Sequence, residues 1–151
     1  GRCDALTSDA SQLYALKTQL KDPSSAIVLP EIISKEPLGA AVRQGDDKWF
    51  NIVKWSYIAM LNAEELGVNS KNVDEMLKSP NPDIQRLLGV TGDIGQGLGL
   101  DAKWAYNIIK QVGNYGEWFD RKVGKDSPLG IERGLNALWK DGGLQYGAPI
   151  R

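Results

Sequence analysis

Residues 1–12, GRCDALTSDASQ, decide how this chain is read. The short, mostly apolar run Cys3–Thr7 ends at Ser8 and delivers Asp9 to a segment in which Leu13, Ala15, Leu16 and Leu20 make one helical face. An apolar run of that length before a capping residue reads as a strand leading into a helix, a βα unit. In an open α/β sheet, ligands bind in the crevice outside the carboxyl ends of the strands. Asp9 is therefore the position with a defensible chemical role. A local role competes with it, because Asp9-Ala10-Ser11-Gln12 fits a helix-start box in which the carboxylate accepts from backbone N–H groups and Gln12 reaches back.

Working outward, Asp22-Pro23-Ser24-Ser25 is a turn by its own chemistry, and Ala26–Leu29 (AIVL) reads as a second buried strand. Pro30–Pro37 (PEIISKEP) changes character, with a proline at each end holding the chain extended, as in a crossover between lobes. Leu38–Arg43 (LGAAVR) is a third expected strand. Asp46 then caps the longest expected helix, to about Leu66, with Gly67 at its end. Trp49, Phe50, Ile52, Val53, Trp55, Tyr57, Ile58, Met60 and Leu61 cover most of its circumference, which predicts packing on more than one side. Glu64 and Glu65 at its tail read as a solvated end.

Shorter helices are expected over about 71–78 and 82–88, the second announced by Asn81-Pro82-Asp83 and closed by Gly89. Thr91–Leu100 (TGDIGQGLGL) is rich in glycine but has neither the Lys-Ser/Thr of a P-loop nor dinucleotide-binding spacing, so it reads as a loop. Asp101 is expected to cap a helix ended by Gly113, and a further helix runs from Tyr115 towards Gly124. Ser127-Pro128 opens a weaker helical stretch through Trp139. The tryptophans fall on stripes that a core would consume.

Composition excludes several classes of function. With 18 basic and 19 acidic residues among 151, nothing favours nucleic acid or an anionic membrane as partner. No apolar run approaches the roughly 20 residues that cross a bilayer. The chain has no histidine, which removes Ser-His and Cys-His nucleophile pairs and histidine-ligated zinc. No cofactor or metal site is indicated. The single cysteine, Cys3, reads as a small buried hydrophobe in a strand. Three strands are too few for the helices that would cover them, and the chain opens at a glycine running straight into one, so its natural start is expected upstream.

Several of these stretches resemble one family. Gly1-Arg2-Cys3-Asp4-Ala5 with Asp9, the run Pro30–Gln44 (PEIISKEPLGAAVRQ) and Gly45-Asp46-Asp47 are joined by Gly113-Asn114-Tyr115-Gly116-Glu117, Gly134–Trp139 (GLNALW) and Gly143–Tyr146 (GLQY). Together they resemble the C-terminal half of the periplasmic solute-binding proteins for general L-amino acids, which serve polar-amino-acid ABC importers. The resemblance implies an α/β fold of the type II periplasmic-binding-protein kind, two lobes around a cleft, here an incomplete half with few strands and many helices. Residues 1–33 would be the last part of the second lobe, 34–38 (Ser34, Lys35, Glu36, Pro37, Leu38) a hinge crossover, and 39–151 the mostly helical C-terminal part of the first lobe. It implies that Asp9 binds the ligand α-ammonium with Ser8 beside it, while the group receiving the α-carboxylate lies in the other half. The implied partners are an L-amino acid, a membrane permease, and the missing N-terminal half or a second copy; the implied location is the periplasm, and Cys3 would pair in a disulfide with that other half. Two other readings stand beside it: a helical protein-interaction module built on the tryptophans, and a hydrolase pairing Asp9 with Glu36.

Overall fold

A computed structural model describes residues 3–35 and 37–150. Gly1, Arg2, Glu36 and Arg151 lie outside them, and with them the first two residues of the resemblance and the centre of the expected crossover. The chain divides into two units, Gly1–Gly39 with Asp120–Glu132 and Ala40–Phe119 with Arg133–Arg151. Each is described by itself.

In the first unit, α1 (Ala10–Thr18) starts two residues after Ser8, and Pro23–Ser25 form a 3-10 turn pinned by Asp22, whose carboxylate accepts from the Ser24 N–H at 2.9 Å. The Ser24 hydroxyl, donating to the same oxygen at 2.6 Å, and then this N–H hold the Asp22 carboxyl below its usual value. No residue of α1 is fully buried. Among the described residues no strand forms, so the three expected strands at Cys3–Thr7, Ala26–Leu29 and Leu38–Arg43 are corrected. The physical reason is pairing: a strand exists only through its ladder, and these segments meet no second strand. Their apolar side chains stand in solvent instead, Ile27 at 76% and Leu29 at 63% exposure, and Cys3 is exposed with a free thiol rather than buried. As the chain's single cysteine it has no intrachain disulfide partner.

The second unit has a core, and every buried apolar residue among the described ones lies in it. Its axis is α2 (Asp47–Glu65), started by the Asp46 carboxylate, which accepts from the Trp49 N–H at 3.0 Å, and ended at Gly67 with φ 71°. Ala59 and Ala63 are fully buried and let α4 (Pro82–Leu87) and α5 (Trp104–Val112) approach. Val68, Val73 on α3 (Val73–Met76), Ile84, Leu87, Leu88, Ala105 and Ile109 complete the core. Asn81 caps α4 through the Asp83 N–H at 2.9 Å, with Pro82 at the first helical position. The buried residues of α2 lie in its C-terminal half, packed on more than one side by α4, α5 and the tail, while Trp49 and Phe50 remain about half exposed.

Two local expectations also change. Asp101 caps no helix; it makes an Asx turn, accepting from the Lys103 N–H, and α5 begins at Trp104. Residues 127–139 form turns and short 3-10 pieces at Gly134–Asn136 and Trp139–Asp141, because Gly130 and Gly134 take positive φ and break any helix. α6 (Tyr115–Lys122) begins in the second unit, and its last residues belong to the first.

Gly89, with φ 68°, faces the backbone of the α5 approach, where a Cβ would stand 2.1 Å from the Ala102 carbonyl oxygen. Gly89→Ala is expected to cost at least about 2 kcal/mol in urea unfolding. Gly97→Ala, where a Cβ meets nothing within 4 Å, is expected to change stability by less than about 0.5 kcal/mol in the same measurement.

Candidate functional site

Asp9 precedes the first residue of α1 with extended-side dihedrals (φ −54°, ψ 140°), and its carbonyl oxygen accepts from the Leu13 N–H at 2.9 Å. Its backbone therefore starts the helix, but its carboxylate makes no capping hydrogen bond. The helix-start box expected of Asp9 and Gln12 is thus corrected. Gln12 is taken by the neighbour, accepting on Oε1 from the Ser8 hydroxyl. The result is a half-buried Asp9 at the start of a helix, with its carboxylate unused by capping. A carboxylate so placed can accept two or more charge-assisted hydrogen bonds from an ammonium group.

The crossover residues Ser34, Lys35, Pro37 and Leu38 are exposed and lie in neither helix nor strand, while Glu36 lies outside the described residues. Among the described residues, no group of three or more His, Cys, Asp or Glu side chains is placed to hold a metal ion, and no helix is long and apolar enough to cross a membrane.

Sequence reasoning missed a polar staple in the second unit that explains why GNYGE stands out. Asn114 and Glu117 form a reciprocal capping box at the start of α6: the Glu117 N–H donates to Asn114 Oδ1 at 3.0 Å, and the Asn114 N–H donates to Glu117 Oε2 at 2.9 Å. The same carboxylate accepts from the Ser70 N–H at 3.0 Å and the Ser70 hydroxyl at 2.6 Å, and Asn114 Nδ2 donates to the Val68 carbonyl at 2.8 Å. The pattern Asn-x-x-Glu before an apolar run was the available signal. Gly113 fits here because a Cβ would lie 2.7 Å from Glu117 Oε2, and Gly116 because one would lie 2.9 Å from both Glu64 and Arg133.

A second polar group surrounds Gly116. Arg133 forms a paired contact with Glu64, Nη1 to Oε1 at 3.0 Å and Nη2 to Oε2 at 3.2 Å, and its guanidinium lies over the rings of Tyr115 and Phe119 at 5.1 and 5.3 Å. Glu64 is therefore no solvated helix end; its side chain is 19% exposed. Glu65 accepts from Trp139 Nε1 at 3.0 Å. The Tyr57 hydroxyl donates to Gln145 Oε1, its ring meets Tyr115 edge-on at 5.5 Å, and Asn62 Nδ2 donates to the Ala148 carbonyl at 2.9 Å. A Cβ at Gly143 would stand 1.9 Å from the Ala137 carbonyl oxygen, so the tail turns through a gap only glycine fits. The GLNALW and GLQY stretches thus dock the tail on α2. Burial pushes the Tyr57 phenol up to about 12 and raises that of Tyr115 as well.

With this geometry in place, comparison with known proteins gives the class first. The chain is similar over its whole length to solute-binding proteins of ABC transporters. It is 63% identical to YhdW of Escherichia coli (strain K12), named as a candidate amino-acid ABC transporter-binding protein, with all of this chain and 45% of that protein covered. It is 61% identical, with the same coverage, to the general L-amino acid-binding periplasmic protein AapJ of Rhizobium johnstonii. A solved ABC transporter periplasmic binding protein from Brucella ovis, with glutathione bound, superimposes with a TM-score of 0.94 at 58% identity, covering all of this chain and 48% of that one. The chain spans about half the length of the relatives it matches. No family model matches it. These relatives are named as binding components, so the hydrolase reading has no support among them.

Glu117→Ala strips the staple and leaves the Ser70 N–H without its acceptor; urea unfolding is expected to show a loss of about 3 kcal/mol. A raised phenol keeps its proton in the folded state while the unfolded chain ionises. Stability is therefore full below pH 10, the ordinary tyrosine value, and falls as pH rises towards 12. Following phenolate absorbance in a pH titration, Tyr57→Phe is expected to remove the highest-titrating component and reduce the alkaline loss of stability.

Proposed function

We propose that this chain carries one side of an amino-acid-binding cleft in a periplasmic solute-binding protein that delivers its ligand to the membrane permease of an ABC importer. The observation that carries the reading is the Asp9 carboxylate, fixed at the start of α1 yet left unused by capping, in a chain similar throughout its length to amino-acid-binding proteins. On this reading Asp9 holds the ligand α-ammonium, the adjacent Ser8 hydroxyl is a second contact, and the α-carboxylate is received by the other half of the protein. Residues 1–33 then belong to the second lobe of a type II two-lobed α/β fold, 34–38 to a hinge crossover, and 39–151 to the first lobe. Such lobes close on their ligand by hinge motion.

The shared chemistry of the ligand class is a free α-ammonium next to an α-carboxylate. L-amino acids carry it, and so does the γ-glutamyl end of glutathione, the molecule held by the Brucella ovis relative. On the same reading the thiol of Cys3, free and exposed in this chain, pairs with the other half of the protein.

The test uses a full-length protein in which this chain is joined to the half of the Brucella ovis relative that it does not cover. Calorimetric titration is expected to show binding of L-amino acids, and of glutathione if the pocket accepts its extra length, whereas Nα-acetylated amino acids do not bind. Asp9→Ala is expected to weaken binding about a hundredfold, the worth of a charge-assisted contact of roughly 2–3 kcal/mol. Unchanged affinity in Asp9→Ala would remove Asp9 from the site.

A further inference from the structure

Where the tail docks on the end of α2, the second unit holds a hollow of about 320 Å³. Apolar atoms of Leu87 and Ile150 line it together with the rings of Trp139 and Tyr146, whose centroids lie 5.8 Å apart with their planes at 59°. Both rings stay more than half exposed. Large aromatic faces left open beside a hollow are free to cover a guest. The polar side chains that line the same space present acceptors. Glu65 Oε1 takes the Trp139 Nε1–H at 3.0 Å, which ties carboxylate and ring together, while its Oε2 accepts no hydrogen bond and no basic side chain pairs with it among the described residues. Asp83 gives one oxygen to Arg86 and keeps the other. Asn62 spends Nδ2 on the Ile58 and Ala148 carbonyls at 3.0 and 2.9 Å, which leaves its Oδ1. Lys140 donates to the Glu65 carbonyl at 3.0 Å and not to its carboxylate, and among the described residues no lysine or arginine lines the hollow.

We propose that this hollow binds a small organic cation, an alkylamine or guanidine that carries no carboxylate. Glu65 and Asp83 supply the opposite charge, their unfilled oxygens accept N–H groups from the guest, and the faces of Trp139 and Tyr146 hold it by cation–π contact. Unfilled acceptors favour a cation with N–H groups over a quaternary one. The volume stands at the lower end of small-molecule sites, about 300 Å³, so the guest is one cationic head on a short alkyl stem that packs on the apolar lining. A whole amino acid fits poorly. Its α-carboxylate would enter beside Glu65 and Asp83, and beyond the Tyr146 hydroxyl no lining side chain has a donor to spare for it. Asp9 belongs to the first unit and is read as holding a ligand that does carry that carboxylate, so the two places select different molecules.

The test uses the joined full-length protein carrying Asp9→Ala, so that the Asp9 carboxylate contributes no ammonium contact, and the probe is agmatine, an alkylamine ending in a guanidinium. Calorimetric titration is expected to show one agmatine per protein with a Kd below about 1 mM. Tetramethylammonium, which has no N–H, and γ-guanidinobutyrate, which has a carboxylate in place of the amine, are each expected to bind at least about tenfold more weakly. Glu65→Gln keeps an acceptor for Trp139 Nε1 and removes only the charge; it is expected to leave the melting temperature unchanged and to lower agmatine affinity at least about fivefold. Asp83→Asn, at the second carboxylate, is expected to lower it at least about twofold. No agmatine binding up to about 10 mM, equal binding of γ-guanidinobutyrate, or parent affinity in both variants would each overturn the proposal. Because the protein tested lacks the Asp9 carboxylate, any of these results leaves the amino-acid reading untouched, and failure of amino acids to bind the parent leaves this one untouched.

Discussion

Burial is the constraint on which everything else here depends. A segment becomes fixed where its apolar side chains find others to exclude water with, and in this chain that happens around the C-terminal half of α2, where Ala59 and Ala63 bring α4 and α5 close enough for Leu87, Leu88 and Ile109 to close the core. Small residues on the buried side of α2 set that distance. The same helix, two turns earlier, carries tryptophan and phenylalanine that meet nothing comparable. Sequence hydrophobicity is similar along α2; partners are not.

Around this core the chain is held by a few polar contacts that do several things at once. Glu117 caps its own helix, holds the Ser70 loop and fills the space left by Gly113; Arg133 pairs with Glu64, covers Tyr115 and Phe119, and reaches back to the Asn136 carbonyl at 3.0 Å. Partly buried charges are tolerated because each is satisfied by more than one contact. Exposed pairs differ: Asp74 accepts from Tyr106 and Lys110, which holds its carboxyl below the usual range, but in solvent such a pair adds little to stability.

The helices were largely legible because their start and stop signals are local. Asp46, Asn81 and Gly67 act as their types predict, since a cap is satisfied by backbone within three residues. Residues 127–139 were misread because a helical pattern of side chains is overruled by glycines taking positive φ. At the candidate site, Asp9 could be singled out from sequence, but not whether its carboxylate was spent on the helix; Ser8, one residue earlier, had taken Gln12. The distinctive GLNALW and GLQY stretches gave no clue to their role, and GNYGE gave only its local capping pattern, because the groups they meet, Glu65, Tyr57 and Ser70, lie far away along the chain.

By itself, then, the sequence determined most of the helices, the caps at Asp46 and Asn81, the turn made by Asp22, and the carboxylate worth watching. All of these depend on contacts within a few residues. Only the tertiary structure decided which apolar residues are core, that the tail is docked on α2, and that the apolar segments at 26–29 and 38–43 stay unpaired. A strand needs hydrogen bonds from elsewhere in space, and no local pattern can supply them.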